Sequence, residues 1–94
     1  MHLGAAVVRT LAVCRPVAGA DMSAFATHVP DEVRAVRALL DSGALLEAYT
    51  IGHPGAVLIL DGDAAQARTV LAALPLVAAG LLDLELLELT PMLA

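Results

Sequence analysis

Ninety-four residues make one domain, yet 60% of them are hydrophobic, well above the roughly 45–50% usual in globular proteins. Five arginines, no lysine and a net charge of −5 leave no basic stripe, which argues against a nucleic-acid partner, since such binding depends on neutralising phosphates. Three scattered histidines and a single cysteine give neither metal-ligand spacing nor an internal disulfide, which suits a reducing cytoplasm.

Aromatic residues are nearly absent, so the core must be built from Leu, Val and Ala. The apolar excess predicts a second buried face, packed on another copy of the chain. No membrane span is expected. The longest uncharged apolar stretch, Thr69–Leu82, covers about 14 residues and contains Pro75, whereas a bilayer needs about 20. The start loosely resembles a lipoprotein signal ending at Cys14, but it has no basic leader and Arg9 interrupts its apolar run. The expectation is a soluble cytoplasmic protein.

In chain order, Ala5–Cys14 is apolar and rich in β-branched residues, which predicts a first strand. Pro16, Gly19 and Asp21 mark a loop. Asp21 is placed to cap a short helix over Met22–His28, and Pro30 to restart the helix in its favoured first position, with Asp31 and Glu32 in the first turn. Val33, Val36, Leu39 and Leu40 then form an apolar stripe, with Asp31, Arg34, Arg37 and Asp41 off it, until Gly43 ends the helix.

Ala44–Ile51 reads as a second strand, Gly52–Gly55 as a tight turn, and Ala56–Leu60 as a third strand. The third strand holds no polar residue, which places it centrally in the sheet. Asp63 and Gln66 make a capping-box pattern for a second helix, whose buried stripe is Ala67, Val70, Leu71 and Leu74. The helix breaks at Pro75 and the chain runs small through Val77–Gly80. It closes as a strand over Leu81–Leu89, with Leu82, Leu84 and Leu86 facing one way and Asp83 and Glu85 the other.

The order β-α-β-β-α-β predicts an α+β, ferredoxin-like single domain over residues 1–94, with two helices on one face of a four-stranded antiparallel sheet. The first strand is expected centrally and the fourth at an edge, with the bare sheet face packed on a twin.

Residues Ser42–Leu89 resemble the small dimeric α/β-barrel proteins of the muconolactone isomerase and YCII-like groups. The resemblance rests on the Ser-Gly helix end, the strand ALLEAYTI, the Ile-Gly-His turn at 51–53, the apolar central strand, the acidic-capped helix and LPLVAAGLLDLELLEL. Leu74-Pro75-Leu76 and Gly52-His53 lean toward the muconolactone isomerase branch. The His and Asp associated with the YCII-like branch fall here on Glu32 and Leu74, so that pair is missing. The resemblance implies a dimeric α/β barrel and a cofactor-independent isomerase or cyclase of small-molecule metabolism. Its substrate would be a small unsaturated lactone, acid or polyketide-like compound.

Such a reaction needs titratable groups in a dry pocket and something to hold a carboxylate or carbonyl. Glu32, His28 and His53 are the catalytic candidates. Against that role, Glu32 can be a first-turn acid serving the helix dipole, and both histidines can be solvated loop residues. Arg9 and Tyr49 are the candidates for substrate binding. Arg9, within an apolar strand, needs either a substrate carboxylate or an acid such as Asp83 or Glu85. Tyr49 offers a hydroxyl to a substrate carbonyl, or simply packs on its strand. Cys14 has no histidine near it in sequence and is not read as a nucleophile. The alternative reading is a non-catalytic dimer that binds an apolar ligand or assists other enzymes.

Overall fold

A computed structural model describes residues 8–52 and 54–93. The elements in order are β1 (Arg9–Pro16), α1 (Met22–Ser42), β2 (Leu45–Thr50), β3 (Ala56–Asp61), α2 (Ala64–Ala72), α3 (Pro75–Ala78) and β4 (Leu82–Leu89). The fold is α+β with one four-stranded sheet, ordered β2-β3-β1-β4 and antiparallel throughout. β1 and β3 are central and β4 is an edge strand, as their hydropathy and order predict. The part of the expected first strand before Val8 lies outside the described residues.

Strand alternation decides the two faces. In β1, Thr10, Ala12 and Cys14 are buried; in β3, Leu58 and Leu60 are. Together with Leu45 they meet Ala67, Leu71 and Leu74 in one core, against which Ala35, Val36 and Leu39 of α1 and Leu82, Leu84 and Leu86 of β4 pack. Both long helices therefore cover the same sheet face. Thr10 is the one polar residue in this buried set, and its hydroxyl donates to the Gly62 carbonyl at 2.9 Å, which satisfies it.

The opposite face carries Leu11, Val13, Val57 and Ile59 at its centre, none of them fully buried. Arg9, Arg15, Glu47, Tyr49, Asp61, Asp83 and Glu85 surround them. The alternation expected in β4 holds: Asp83, Glu85 and Leu87 lie opposite Arg15, Val13 and Leu11 on this face.

Helix α1 departs from expectation. It is one helix of 21 residues, and Pro30 lies inside it rather than at a new start. Asp21 caps it by accepting from the Ser23 N–H at 2.9 Å, and Gly43 ends it at φ 83°, a left-handed value that favours glycine. Pro30 cannot donate to the Ala26 carbonyl, but both residues are exposed and water can satisfy that group. Buried Phe25 on one side and Val36 and Leu39 on the other hold the helix through the proline. One consequence reaches the site: Asp31 and Glu32 sit in mid-helix, so a first-turn role at the dipole is ruled out for Glu32.

The α1 stripe also differs from its prediction. Val36 and Leu39 pack on the core, but Val33 and Leu40 are 50% and 41% exposed. Beyond Leu45, the β2 residues on the helix side are Ala48 and Thr50, opposite Leu58 and Ala56. Both are too short to reach across to α1, and a gap remains.

At α2 the capping box is present as the sequence predicts. Asp63 accepts from the Gln66 N–H, and the Gln66 side chain accepts from the Asp63 N–H, each at 2.8 Å. Glu88 of β4 takes the Ala64 N–H at 2.8 Å, so two carboxylates serve the positive end of this helix. Asp63→Ala should cost about 1 kcal/mol of unfolding free energy by urea titration, and Asp63→Asn much less.

The short helix α3 is not anticipated by the sequence reading, which expects only a turn of small residues there. Leu74 is extended (φ −65°, ψ 134°), as a residue before proline prefers, and Pro75 starts a single turn from the first helical position.

Candidate functional site

The gap between α1 and β2 is a cavity of about 440 Å³. Val29, Val33, Val36 and Leu40 of α1 form one wall, and Ala48 and Thr50 of β2 the other. Cys14, Ala56 and Leu58 make the floor, while Leu74, Leu76 and Leu82 close one end. Nearly all of this lining is aliphatic. Among the described residues, the ionisable side chains that border it are Glu32, Arg37, Tyr49 and Cys14.

Glu32 is half-buried and reaches from α1 toward α3, where its Oε1 accepts the Leu76 N–H at 3.0 Å. Leu74 offers α3 no side-chain cap and Pro75 has no N–H, so Leu76 supplies the first free donor of that turn. One carboxyl oxygen is thereby fixed. Burial raises the Glu32 pKa above the ordinary glutamate value, partly offset by the Leu76 hydrogen bond and by the charge of nearby His28. An acid tuned upward in an apolar setting is a stronger proton acceptor than an ordinary glutamate.

His28 lies one turn before Glu32 on α1 and is half-buried, so the two side chains share a helix face. Of the three proposed catalytic residues, Glu32 and His28 are brought together. His53 lies outside the described residues.

Arg9 and Tyr49 are placed elsewhere. Arg9 alternates with the buried residues of β1 and is exposed on the sheet face away from the helices, beside Leu89, Thr90 and Pro91. Within the chain, the β1–β4 register sets Arg9 opposite Leu89 rather than Asp83 or Glu85, and Arg15 pairs with Glu85 at 3.8 Å. Tyr49 borders the cavity rim, but its pairing with Val57 turns the ring to the open sheet face, where its hydroxyl donates to Glu47. The Glu47 carboxylate raises the Tyr49 pKa. Arg9 therefore lies apart from the cavity that Glu32 and, at its rim, Tyr49 border.

Cys14, Arg37 and Thr50, none of them a site candidate from the sequence, also line the cavity. Cys14 is buried beneath Glu32, and its thiol is pushed up to about 11 by burial first and the Glu32 carboxylate second. It stays protonated at neutral pH and is a poor nucleophile. Strand alternation with Thr10 and Ala12 was the available signal that Cys14 faces the helices. Arg37 belongs to the exposed side of the α1 stripe in sequence, and nothing there tells that the stripe overhangs a gap.

Among the described residues, no group of three or more His, Cys, Asp or Glu is arranged to hold a metal ion. No described helix is long and apolar enough to cross a membrane. No protein family, curated protein or solved structure matches the chain.

Proposed function

We propose that the chain is a cofactor-independent isomerase or cyclase that moves a proton within a small unsaturated lactone, acid or polyketide-like compound. The observation that carries this reading is Glu32: a carboxyl group with a raised pKa, one oxygen fixed by the Leu76 N–H, set in the wall of an aliphatic cavity. The ligand lies between α1 and β2. The free oxygen of Glu32 takes a proton from a carbon next to a carbonyl, the electron pair moves into the conjugated system, and the carboxylic acid returns the proton at a distant carbon. No proton or electron is lost overall. His28, one turn away, favours the charged form of Glu32. The resemblance to muconolactone isomerase-like proteins agrees with this chemistry.

The test is wild-type protein with a panel of unsaturated lactones and acids in deuterated water, followed by proton NMR. The reading expects deuterium to enter at least one compound at a carbon next to its carbonyl. Exchange no faster than in buffer across the panel overturns it.

A second reading, a non-catalytic ligand-binding or accessory dimer, draws on one specific observation. The Glu32–Leu76 hydrogen bond has a complete structural use in capping α3, and Arg9 and Tyr49 do not join it. It predicts binding without exchange.

Both readings include a homodimer through the open sheet face, the arrangement of a dimeric α/β barrel. Leu11, Val13, Val57 and Ile59 form an apolar centre with a charged rim, the usual anatomy of an interface. Leu87, 48% exposed, extends this centre onto β4. Sedimentation should give a dimer at micromolar concentration for the wild type and a monomer for Ile59→Arg. A monomeric wild type removes the barrel.

A further inference from the structure

We propose that Arg37 makes the cavity selective for ligands that carry a carboxylate, and fixes which end of the ligand reaches Glu32. The inference rests on the cavity being the functional site and adds the polarity of its ligand.

Arg37 is the only cationic side chain in the cavity lining among the described residues, and it stands exposed at the rim. It enters neither of the ion pairs found among the described residues, Arg15–Glu85 and Arg34–Asp31, both of which lie away from the cavity. Asp41, one turn further along α1, does not reach it within ion-pair distance, and a base four residues before an acid is the weaker order for such a pair. Its planar fork is therefore free to take a carboxylate through two parallel hydrogen bonds. The chain as a whole carries a charge of −5, so an anionic ligand needs a local cation to enter.

Position gives the second half of the proposal. Arg37 follows Glu32 by five residues on α1, a rise of about 7.5 Å along the helix and a turn of about 140° around it. Val33 and Val36 lie between them on the wall, and Leu40 follows Arg37. A ligand with its carboxylate at Arg37 lays its hydrocarbon part on these residues and brings its far end to Glu32. The reversed ligand would set its carboxylate against the Glu32 carboxylate and leave Arg37 empty, which like-charge repulsion disfavours. The cavity is thus directional: anion at one end, proton transfer at the other.

The experiment compares hex-3-enoate with its methyl ester by nitrogen-15 chemical-shift titration of wild type, Arg37→Leu, Arg37→Gln and Glu32→Gln. The wild type should bind the acid about two- to fivefold tighter than the ester, the preference expected of a solvent-exposed ion pair. Both Arg37 variants should lose that preference with ester binding unchanged, and Glu32→Gln should keep it. The two Arg37 variants guard against one that does not fold. Equal binding of acid and ester by the wild type, retention of the preference in the Arg37 variants, or no shift at the cavity residues with the acid overturns the proposal. The readout is binding, so a carboxylate preference without deuterium exchange keeps the Arg37 site and removes the proton-transfer reading. Exchange without the preference does the reverse.

Discussion

Glu32→Gln should lower turnover by about 10²-fold or more, the usual contribution of a positioned general base, while leaving the fold intact. Glutamine is close to isosteric, and its carbonyl oxygen can still accept the Leu76 N–H that Glu32 now accepts at 3.0 Å. What it loses is the proton-accepting oxygen. Glu32→Ala separates the two roles, because it removes both the base and the cap on α3. The alanine variant should therefore lose activity and also unfold at lower denaturant, by about 1 kcal/mol for the missing hydrogen bond. Steady-state rates and urea titrations on the two variants make the comparison. If both unfold early and Gln keeps full turnover, Glu32 is a cap and nothing more.

The sign of the pH dependence follows from the raised pKa. The protonated acid cannot serve as base, so kcat/KM should climb with pH through the ionisation of Glu32, above the range of an ordinary glutamate. Stability runs the other way. The folded state holds the Glu32 proton more tightly than the unfolded chain does, so this contribution is fully present below the unfolded pKa and is lost as pH rises through the folded one. Glu32→Gln should abolish both trends. At higher pH the same logic applies to the Cys14 thiol, pushed up to about 11.

Leu60→Ala should be the most damaging aliphatic truncation, at about 2–5 kcal/mol. Leu60 is fully buried on central β3, opposite Thr10 on one side and Leu45 on the other. Its loss leaves a hole that strands on both sides are hydrogen-bonded too firmly to fill. A small domain has a total stability of roughly 5–15 kcal/mol, so the loss is a large share of it. The melting temperature should drop by at least about 8 °C. Leu40→Ala is the control. That side chain is 41% exposed at the cavity wall, and its truncation should change stability by less than about 1 kcal/mol and act on ligand affinity instead. Similar thermal losses for the two would mean that the cavity wall is packed like the core.

The fold was legible because period and punctuation agreed. The unbroken apolar run at Ala56–Leu60, the alternation of Leu82 to Leu86 with Asp83 and Glu85, and the Asp63–Gln66 capping box each specify one local state. Pro30 misled, because a proline reads as a helix start unless packing on both sides carries the helix through it; here Phe25, Val36 and Leu39 do so. Glu32 was named from the sequence and borders the cavity, whereas His28 lies beside it on α1 outside the lining; the first-turn position that would have made Glu32 a structural residue does not apply. Parity separates Arg9 and Tyr49 from the cavity floor: Arg9 faces the open side of the sheet, and Tyr49 meets the cavity only at its rim. Arg37 was hidden because helical spacing places it off the apolar stripe. That stripe turns out to overhang short Ala48 and Thr50.

The most direct test of the account is a crystal structure of the protein soaked with small unsaturated acids and lactones. The account predicts ligand between α1 and β2, with its reacting carbon at the free oxygen of Glu32 and its carboxylate, where it has one, at Arg37. A cavity closed by Val33 and Leu40, or ligand bound only elsewhere with Glu32 turned to water, would contradict it.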